Sequence, residues 1–189
     1  MSIAYAVGVT QERRAATDEE ARAMASPLRV RILRLCLDQP LTNKQIAEVL
    51  GRDPATVLHH VRTLVRAGFL AAEQERRGPR GSREVPYRAT GKSWRLEVVD
   101  PERERTHRAT LVQAFIDDVR RVGLDTVTGA RLGLRLTAAE REELERRIQE
   151  LLDEYAGRRS DGEPWSLFVG LHPDDRPVGS KPDAPAPGP

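Results

Sequence analysis

Three short amphipathic segments follow one another between residues 26 and 68, and each begins with its own helix start signal. Cap residues that precede a proline or stand three residues before a glutamine are typical of helix N-termini. These start signals are Ser26 with Pro27, Thr42 with Gln45, and Asp53 with Pro54. A glycine, at position 51 or 68, ends each of the last two segments. The pattern predicts three closely packed helices within about forty residues.

The third predicted helix, residues 54–67, carries an outward face that differs from its apolar inward face. The outward residues are Ala55, Thr56, Leu58, His59, Arg62, Thr63 and Arg66. Thr56 and His59 lie near the N-terminal end, where a recognition helix contacts base edges. Arg62 and Arg66 are better placed for phosphates. The alternative is that this outward face is only exposed to solvent and makes no DNA contact. His60 lies beside the apolar residues of the helix, so we expect it to pack at the edge of the core and not to contact DNA.

Two apolar segments, residues 69–74 and 84–89, flank an arginine-rich loop. They predict a β-hairpin, with Pro86 confining its strand to a sheet edge. Such a hairpin after three helices is the wing of a winged helix-turn-helix. The loop, residues 76–83, can follow a phosphate backbone or enter a narrow minor groove. The alternative is a solvated loop without DNA contact.

The charge of the chain is concentrated in this part. Residues 26–95 hold fourteen Lys and Arg against six Asp and Glu, whereas the whole chain has a net charge of only +2. Such asymmetry is typical of one nucleic-acid-binding face on an otherwise balanced protein.

Residues 24–90 resemble ArsR-type (ArsR/SmtB-like) winged helix-turn-helix regulators. The matching stretches are MASPLRVRIL, LTNKQIA, VLHHVRTL and AGFL. The resemblance implies a homodimer that binds an inverted-repeat operator in double-stranded DNA, usually as a repressor released by a metal, a redox event or a small molecule. The predicted DNA-binding residues are Thr42, Lys44, Ala55, Thr56, His59, Arg62, Arg66, Arg76, Arg77, Arg80 and Arg83.

No transition-metal site or other cofactor is expected. Cys36, the only cysteine, lies on an apolar helix face, so it indicates core packing and agrees with a reducing cytoplasm. Glu104 and His107 share a helical face near the start of a predicted helix. Further along this helix, where the other ligands of a metal site would be needed, the sequence offers Asp117, Asp118 and Arg121 but no second histidine. These nitrogen and sulfur ligands are too few for zinc or copper.

The remaining sequence predicts a helix–strand–helix–strand region. It comprises a helix over 101–122, a strand over 131–136, a helix opened by Thr137 with Glu140, and a strand over 165–171. The expected fold class is mainly α with β (α+β). The expected division is an N-terminal segment (1–16), the winged helix-turn-helix (17–95), a C-terminal region (96–172) and a disordered tail (173–189).

The C-terminal region has two candidate roles, dimerisation and binding of a small organic effector. For the second role, aromatic side chains would line an apolar cavity: Trp94, Phe115, Tyr155, Trp165 and Phe168. The chain shows no phosphate-binding loop or nucleophile motif of an enzyme, no membrane span and no signal peptide, so we expect a non-enzymatic cytoplasmic protein. Two hypotheses stay open: a dimeric sequence-specific transcription factor, and a winged-helix module for protein interaction or non-specific nucleic-acid binding.

Overall fold

The computed structural model describes residues 13–77, 83–158 and 160–175. The helices are α1 (Asp18–Met24), α2 (Pro27–Leu35), α3 (Asn43–Leu50), α4 (Pro54–Arg66), α5 (Pro101–Val122) and α6 (Ala138–Gly157). The strands are β1 (Arg14–Ala15), β2 (Leu41–Thr42), β3 (Leu70–Ala72), β4 (Arg76–Arg77), β5 (Arg83–Glu84), β6 (Pro86–Ala89) and β7 (Leu96–Glu97). Short 3-10 helices lie at Lys92–Arg95 and Leu124–Thr126. The α+β fold class with a winged helix-turn-helix is confirmed.

The three predicted helices of residues 26–68 are α2, α3 and α4, and their apolar faces form the core. Val57, Val61 and Leu64 of α4 are fully buried, together with Ile32 and Ile46 from the other two helices. The predicted capping box at the start of α3 is present, since the Thr42 hydroxyl accepts from Gln45 N and the Gln45 side chain accepts from Thr42 N. Ser26 stands at the predicted N-cap of α2 but makes no side-chain capping bond.

The wing pairs with the start of the helix-turn-helix in a three-stranded antiparallel sheet of order β2-β6-β3. The prediction that Pro86 lies on an edge strand is therefore wrong, because β6 is the central strand. Pro86 is the first residue of that strand, a position where its missing N–H is tolerated. Its carbonyl accepts from Glu73 N at 2.8 Å, and it stands opposite Thr42 of the two-residue β2.

Strands β4 and β5 extend the hairpin as a separate two-stranded ladder, in which Arg76 pairs with Glu84 and Arg77 with Arg83. The loop between them, residues 78–82, lies outside the described residues, and with it the predicted contact residue Arg80.

Helix α5 packs on α1 and α2 and thereby joins the core of the winged helix. Its Ala114 belongs to the same buried cluster as α2 and α4, and Thr110 is also buried. Arg31 of α2 forms an ion pair with Asp118 of α5, and Arg34 reaches the same carboxylate at 3.6 Å. β1 pairs in parallel with β7 and ties the start of the described chain to the segment before α5.

The strands predicted at 131–136 and 165–171 are wrong, since the structure assigns neither segment to a strand. Alternating leucines favour a strand only where a neighbouring strand completes the ladder, and no described segment pairs with them. Helix α6 begins with the predicted capping box of Thr137 and Glu140 but has no buried residue.

The predicted tail begins with three exposed described residues, 173–175, and its remainder, 176–189, lies outside the described residues. Within the described part of the chain, no helix is long and apolar enough to span a membrane.

Candidate nucleic-acid interface

The turn between α3 and α4 fixes the start of the candidate recognition helix α4. The Asp53 carboxylate accepts from Ala55 N at 2.9 Å and from Thr56 N at 3.0 Å, which satisfies two backbone donors of the first turn. Asn43 donates its side-chain N–H to the Pro54 carbonyl at 2.9 Å, linking the two helix starts. Gly51 adopts a left-handed φ of 59°, which ends α3 and redirects the chain. The turn is therefore held by contacts that leave the outward face of α4 uncovered.

Five of the seven predicted outward residues of α4 are exposed, and the other two, Leu58 and Thr63, are half-buried. Thr56, His59, Arg62 and Arg66 are exposed, as is Ala55. The side chains of His59, Arg62 and Arg66 form no ion pair within the described residues. Their donors are thus available to an external acceptor such as a base edge or a phosphate oxygen.

His60, one residue further along α4, is half-buried and differs from His59. Burial, and the nearby positive charge of Arg29, lower the pKa of His60 below its ordinary value. Its Nδ1 atom is buried and makes no hydrogen bond to a described residue. The prediction that His60 is structural agrees with this position.

A groove of about 340 Å³ separates the start of α3 from the base of the wing. Lys44, Arg76 and Arg77 bring three positive charges to its walls, with Glu48 and Glu84 as the opposing acids. Arg76 donates to the Gln45 side-chain oxygen at 3.3 Å, so the wing base contacts the N-terminal turn of α3. The cations of two elements distant in sequence thus face one groove.

Thr42 lines this groove but is only 3% exposed, and its hydroxyl is occupied by the capping box. It differs in this from the other predicted contact residues that the structure describes, which are exposed.

Among the wing arginines, the ion pairs are loose. Arg76 lies 3.9 Å from the Glu84 carboxylate, and Arg83 lies 3.3 Å from that of Glu75. Arg77 is exposed and has no ion-pair partner among the described residues. Exposed ion pairs contribute little to stability, so Arg76 and Arg83 can leave their carboxylate partners and bind phosphates at a small cost in free energy.

A buried ionic cluster behind the recognition helix was not predicted from the sequence. The Glu20 carboxylate, only 6% exposed, accepts from Arg14 and from Lys92, each at 2.6 Å. Lys92 Nζ also donates to the carbonyl of Ala67, the C-cap of α4, at 2.6 Å. The sequence indicated Glu20 only as a helix-start residue, and Lys92 stands in no recognisable motif.

The carboxylates considered for a metal site, those of Glu104, Asp117 and Asp118, form ion pairs with arginines. Asp118 is bound by Arg31, Arg34 and Arg121. Burial lowers the pKa of His107, and its Nδ1 makes no hydrogen bond to a described residue. In residues 13–77, 83–158 and 160–175, no three His, Cys, Asp or Glu side chains are arranged to hold a metal ion.

Cys36 is fully buried, as predicted, and burial raises the pKa of its thiol to about 12. The side chain is therefore protonated core packing, which makes it a poor nucleophile.

The predicted aromatic cavity is wrong. Only two of the five aromatic residues meet, with the rings of Phe115 and Phe168 stacked at 4.8 Å. Trp94 lies against Arg13 and Tyr155 against Arg158, while Trp165 is 82% exposed. The side chains lie on separate elements that the sequence could not position relative to one another.

The trihelical core, the exposed α4 and the paired wing define a winged helix-turn-helix, the fold that DNA-binding transcriptional regulators use. Residues 24–72 match the model of a family described as a helix-turn-helix domain. This match confirms the predicted helix-turn-helix within residues 24–72. No curated protein matches the chain.

Several solved structures are similar to the chain at low identity. One is the homodimeric winged helix-turn-helix DNA-binding domain (fragment 1–100) of a possible ArsR-family regulator from Mycobacterium bovis, with 20% identity, 60% of this chain and 85% of that chain covered, and a TM-score of 0.33. Another is the adhesin competence repressor from Streptococcus pyogenes, with 19% identity, coverage of 75% and 81%, and a TM-score of 0.30. A third is the complex of S. aureus MepR with DNA, with 15% identity, coverage of 74% and 80%, and a TM-score of 0.28.

Proposed function

We propose that the chain is a dimeric, sequence-specific transcriptional regulator that represses by binding an inverted-repeat operator. The observation that carries the proposal is the outward face of α4, which is exposed, polar and free of ion pairs within the described residues while its opposite face is fully buried. In this proposal, residues 17–95 contact DNA and residues 96–172 join two copies.

Thr56 and His59 are proposed to read base edges in the major groove. Both are exposed in the first two turns of α4, and the hydroxyl and imidazole can each donate to or accept from a base. Arg62 and Arg66, one and two turns further along, are proposed to bind phosphates together with Lys44 at the start of α3. Base contacts would set the sequence preference, and phosphate contacts the register.

The wing is proposed to bind the phosphate backbone or the adjacent minor groove through Arg76, Arg77, Arg80 and Arg83. Arg76 and Arg77 share the groove with Lys44, so helix and wing cations can follow one strand of the backbone. The surplus of positive charge in residues 26–95 favours the same interpretation.

Selection of bound sequences from genomic fragments tests the proposal. We expect a two-fold symmetric site whose half-sites are about one helical turn apart. Recovery of sequences without two-fold symmetry would contradict it and favour a protein-interaction or non-specific module.

Variants of the selected complex test the individual roles. Thr56→Ala and His59→Ala should weaken binding to the selected site by about 1–3 kcal/mol each and leave binding to random DNA nearly unchanged. Thr106→Ala on α5, which is equally exposed, is the matched control. Equal losses on both DNAs would exclude base contact.

For the wing, Arg77→Ala and Arg83→Ala should weaken binding to every sequence and reduce the slope of log affinity against log salt by about one per lost phosphate contact. Arg146→Ala on α6 is the control. An unchanged slope would show that the wing does not touch the backbone.

A further inference from the structure

The C-terminal arm, defined here as residues 131–171, contains two segments with the sequence pattern of strands but without strand partners. Residues 131–136 and 165–171 alternate or cluster apolar side chains, yet every one of these residues is exposed. Within the described residues, their backbone N–H and C=O groups make no backbone hydrogen bond. Backbone groups beside apolar side chains are usually paired, so each segment has the character of an unpaired sheet edge.

The arm also exposes more apolar surface than an isolated chain normally does. Ten large apolar side chains of the arm are more than a third exposed, and Leu132 is 76% and Leu167 71% exposed. Ten such side chains present on the order of 1,000 Å², comparable to what one partner of a standard protein interface buries. Large exposed apolar surface on a protein often marks a site of association.

Helix α6 adds an apolar stripe at coiled-coil spacing. Leu144, Ile148, Leu151 and Tyr155 are separated by four, three and four residues. None of them is fully buried, and Leu151 and Tyr155 are more than half exposed. Within the described residues the stripe is thus only partly covered, half-buried at Leu144 and Ile148 and exposed at Leu151 and Tyr155.

The two strand-like segments do not complete each other within one chain. Both segments contribute to the lining of an open cavity of about 1010 Å³, the first with Leu132, Leu134 and Leu136 and the second with Leu171. A second chain can supply both the missing ladder and the apolar side chains that fill this space.

The charge of the arm favours a second copy over a nucleic acid or an anionic membrane. The arm holds nine Asp and Glu against seven Lys and Arg, so it does not attract phosphates as residues 26–95 do. It is continuous with α5 through the stacked rings of Phe115 and Phe168, which joins it to the winged-helix core.

We propose that the C-terminal arm is the surface through which two copies of the chain associate, with residues 131–136 and 165–171 forming strands across the two chains and the α6 stripe packing between them. This inference rests on the dimer of the proposed function and names its surface. The dimer then depends on residues beyond the helix-turn-helix.

Hydrogen exchange of the full-length protein at two concentrations tests the proposal without any substitution. Amide protons of 131–136 and 165–171 should exchange slowly at a concentration where the protein is a dimer and at least tenfold faster after dilution to monomer. Amides of α4 should be equally protected at both concentrations. Protection of the two segments that is independent of concentration, or absent at both, overturns the proposal.

Sedimentation of variants provides the second test. Leu134→Asp and Trp165→Asp replace exposed side chains, so the helical circular dichroism should not change, whereas the dimer dissociation constant should rise at least tenfold. Val99→Asp is the matched control, because Val99 is an apolar residue outside the arm whose exposure lies between those of Leu134 and Trp165. A wild-type monomer, or a dissociation constant of the arm variants equal to that of the control, overturns the proposal.

DNA binding separates this proposal from the proposed function. The arm variants should bind a symmetric site at least tenfold more weakly and a single half-site as well as the wild type does. A dimer that persists in the arm variants and binds the symmetric site normally would refute the arm interface alone. If the wild type is a dimer, the arm variants are monomers, and the wild type selects no DNA sequence, the arm interface would be supported and the proposed operator binding refuted.

Discussion

The buried carboxylate of Glu20 provides a prediction whose size can be worked out from its contacts. It accepts four hydrogen bonds: from Thr17 N at 2.8 Å, from Arg14 at 2.9 and 2.6 Å, and from Lys92 at 2.6 Å. Glu20→Gln keeps the shape of the side chain but replaces one carboxylate oxygen, an acceptor, with an NH2 group, which is a donor and cannot bond to the donors around it. The variant therefore loses about half of these bonds.

Hydrogen bonds to a charged group contribute about 1.5–3 kcal/mol each in general. Arg14 is half exposed and can turn into water, which reduces the loss on its side, whereas Lys92 is held against the end of α4. We therefore expect Glu20→Gln to lower the free energy of unfolding by about 2 kcal/mol at pH 7. Glu19→Gln, on the same helix turn but exposed, is the control and should change it by less than about 0.5 kcal/mol.

The effect depends on pH in a defined direction. The Arg14 side chain, by its hydrogen bonds, and then Lys92 hold the pKa of Glu20 well below its ordinary value of 4.5. Between the folded and unfolded pKa values the unfolded chain binds more protons, so the stabilisation is complete above about pH 4.5 and is lost as the pH falls. The difference between wild type and Glu20→Gln should thus narrow by more than about 1 kcal/mol between pH 7 and pH 3.

Urea unfolding followed by circular dichroism at pH 7, 5, 4 and 3 measures these differences. If the wild type and Glu20→Gln unfolded at the same urea concentration at pH 7, or if their difference stayed constant down to pH 3, the carboxylate would not be the buried ionic acceptor that the contacts describe.

Three further predictions concern the core and the turn after α4. Because burial raises the pKa of Cys36 to about 12, iodoacetamide at pH 8 should leave the native protein unmodified and alkylate it fully in urea, as judged by mass. Leu64→Ala, at a fully buried position, should cost about 2–5 kcal/mol in urea unfolding, and a cost below 1 kcal/mol would contradict its place in the core. Gly51 and Gly68 both have left-handed φ angles, so an alanine at either position should cost about 1–2 kcal/mol in the free energy of unfolding. Gly68→Ala should destabilise more than Gly51→Ala, because only at Gly68 would the new Cβ approach another side chain, with Lys92 Nζ at 3.0 Å. Equal losses in the two alanine variants would show that Lys92 does not sit against this turn.

The helices of the winged helix could be predicted because their signals are local. The capping box of Thr42 and Gln45 and the cap at Asp53 each involve residues no more than three positions apart, so the sequence alone specifies them. The division of α4 into buried and exposed faces follows in the same way from helical periodicity. Ser26 is the exception, since its position is correct but its hydroxyl makes no capping bond.

Contacts between distant residues could not be predicted. Pro86 lies on a central strand because Leu41 and Thr42 pair with β6, and a two-residue strand is too short to show alternation in sequence. Lys92 and Glu20 are 72 positions apart, and nothing in either local sequence indicates their ion pair. Thr42 was predicted as a contact residue, but its position as the N-cap of α3 buries it.

Helix α5 gives the arm a physical route to the DNA-binding surface. Its Ala114 belongs to the buried cluster that also holds residues of α2 and α4, and Asp118 binds Arg31 of α2, so α5 is coupled to the recognition helix through a shared core. The same helix continues through the 3-10 helix Leu124–Thr126 into the arm. If two arms associate as proposed, they fix two α5 helices and therefore the separation of two recognition helices, which must match half-sites about 34 Å apart. Substitutions in the arm should then act on the spacing between half-sites and not on the reading of either one, which is why half-site and symmetric-site affinities must be measured separately.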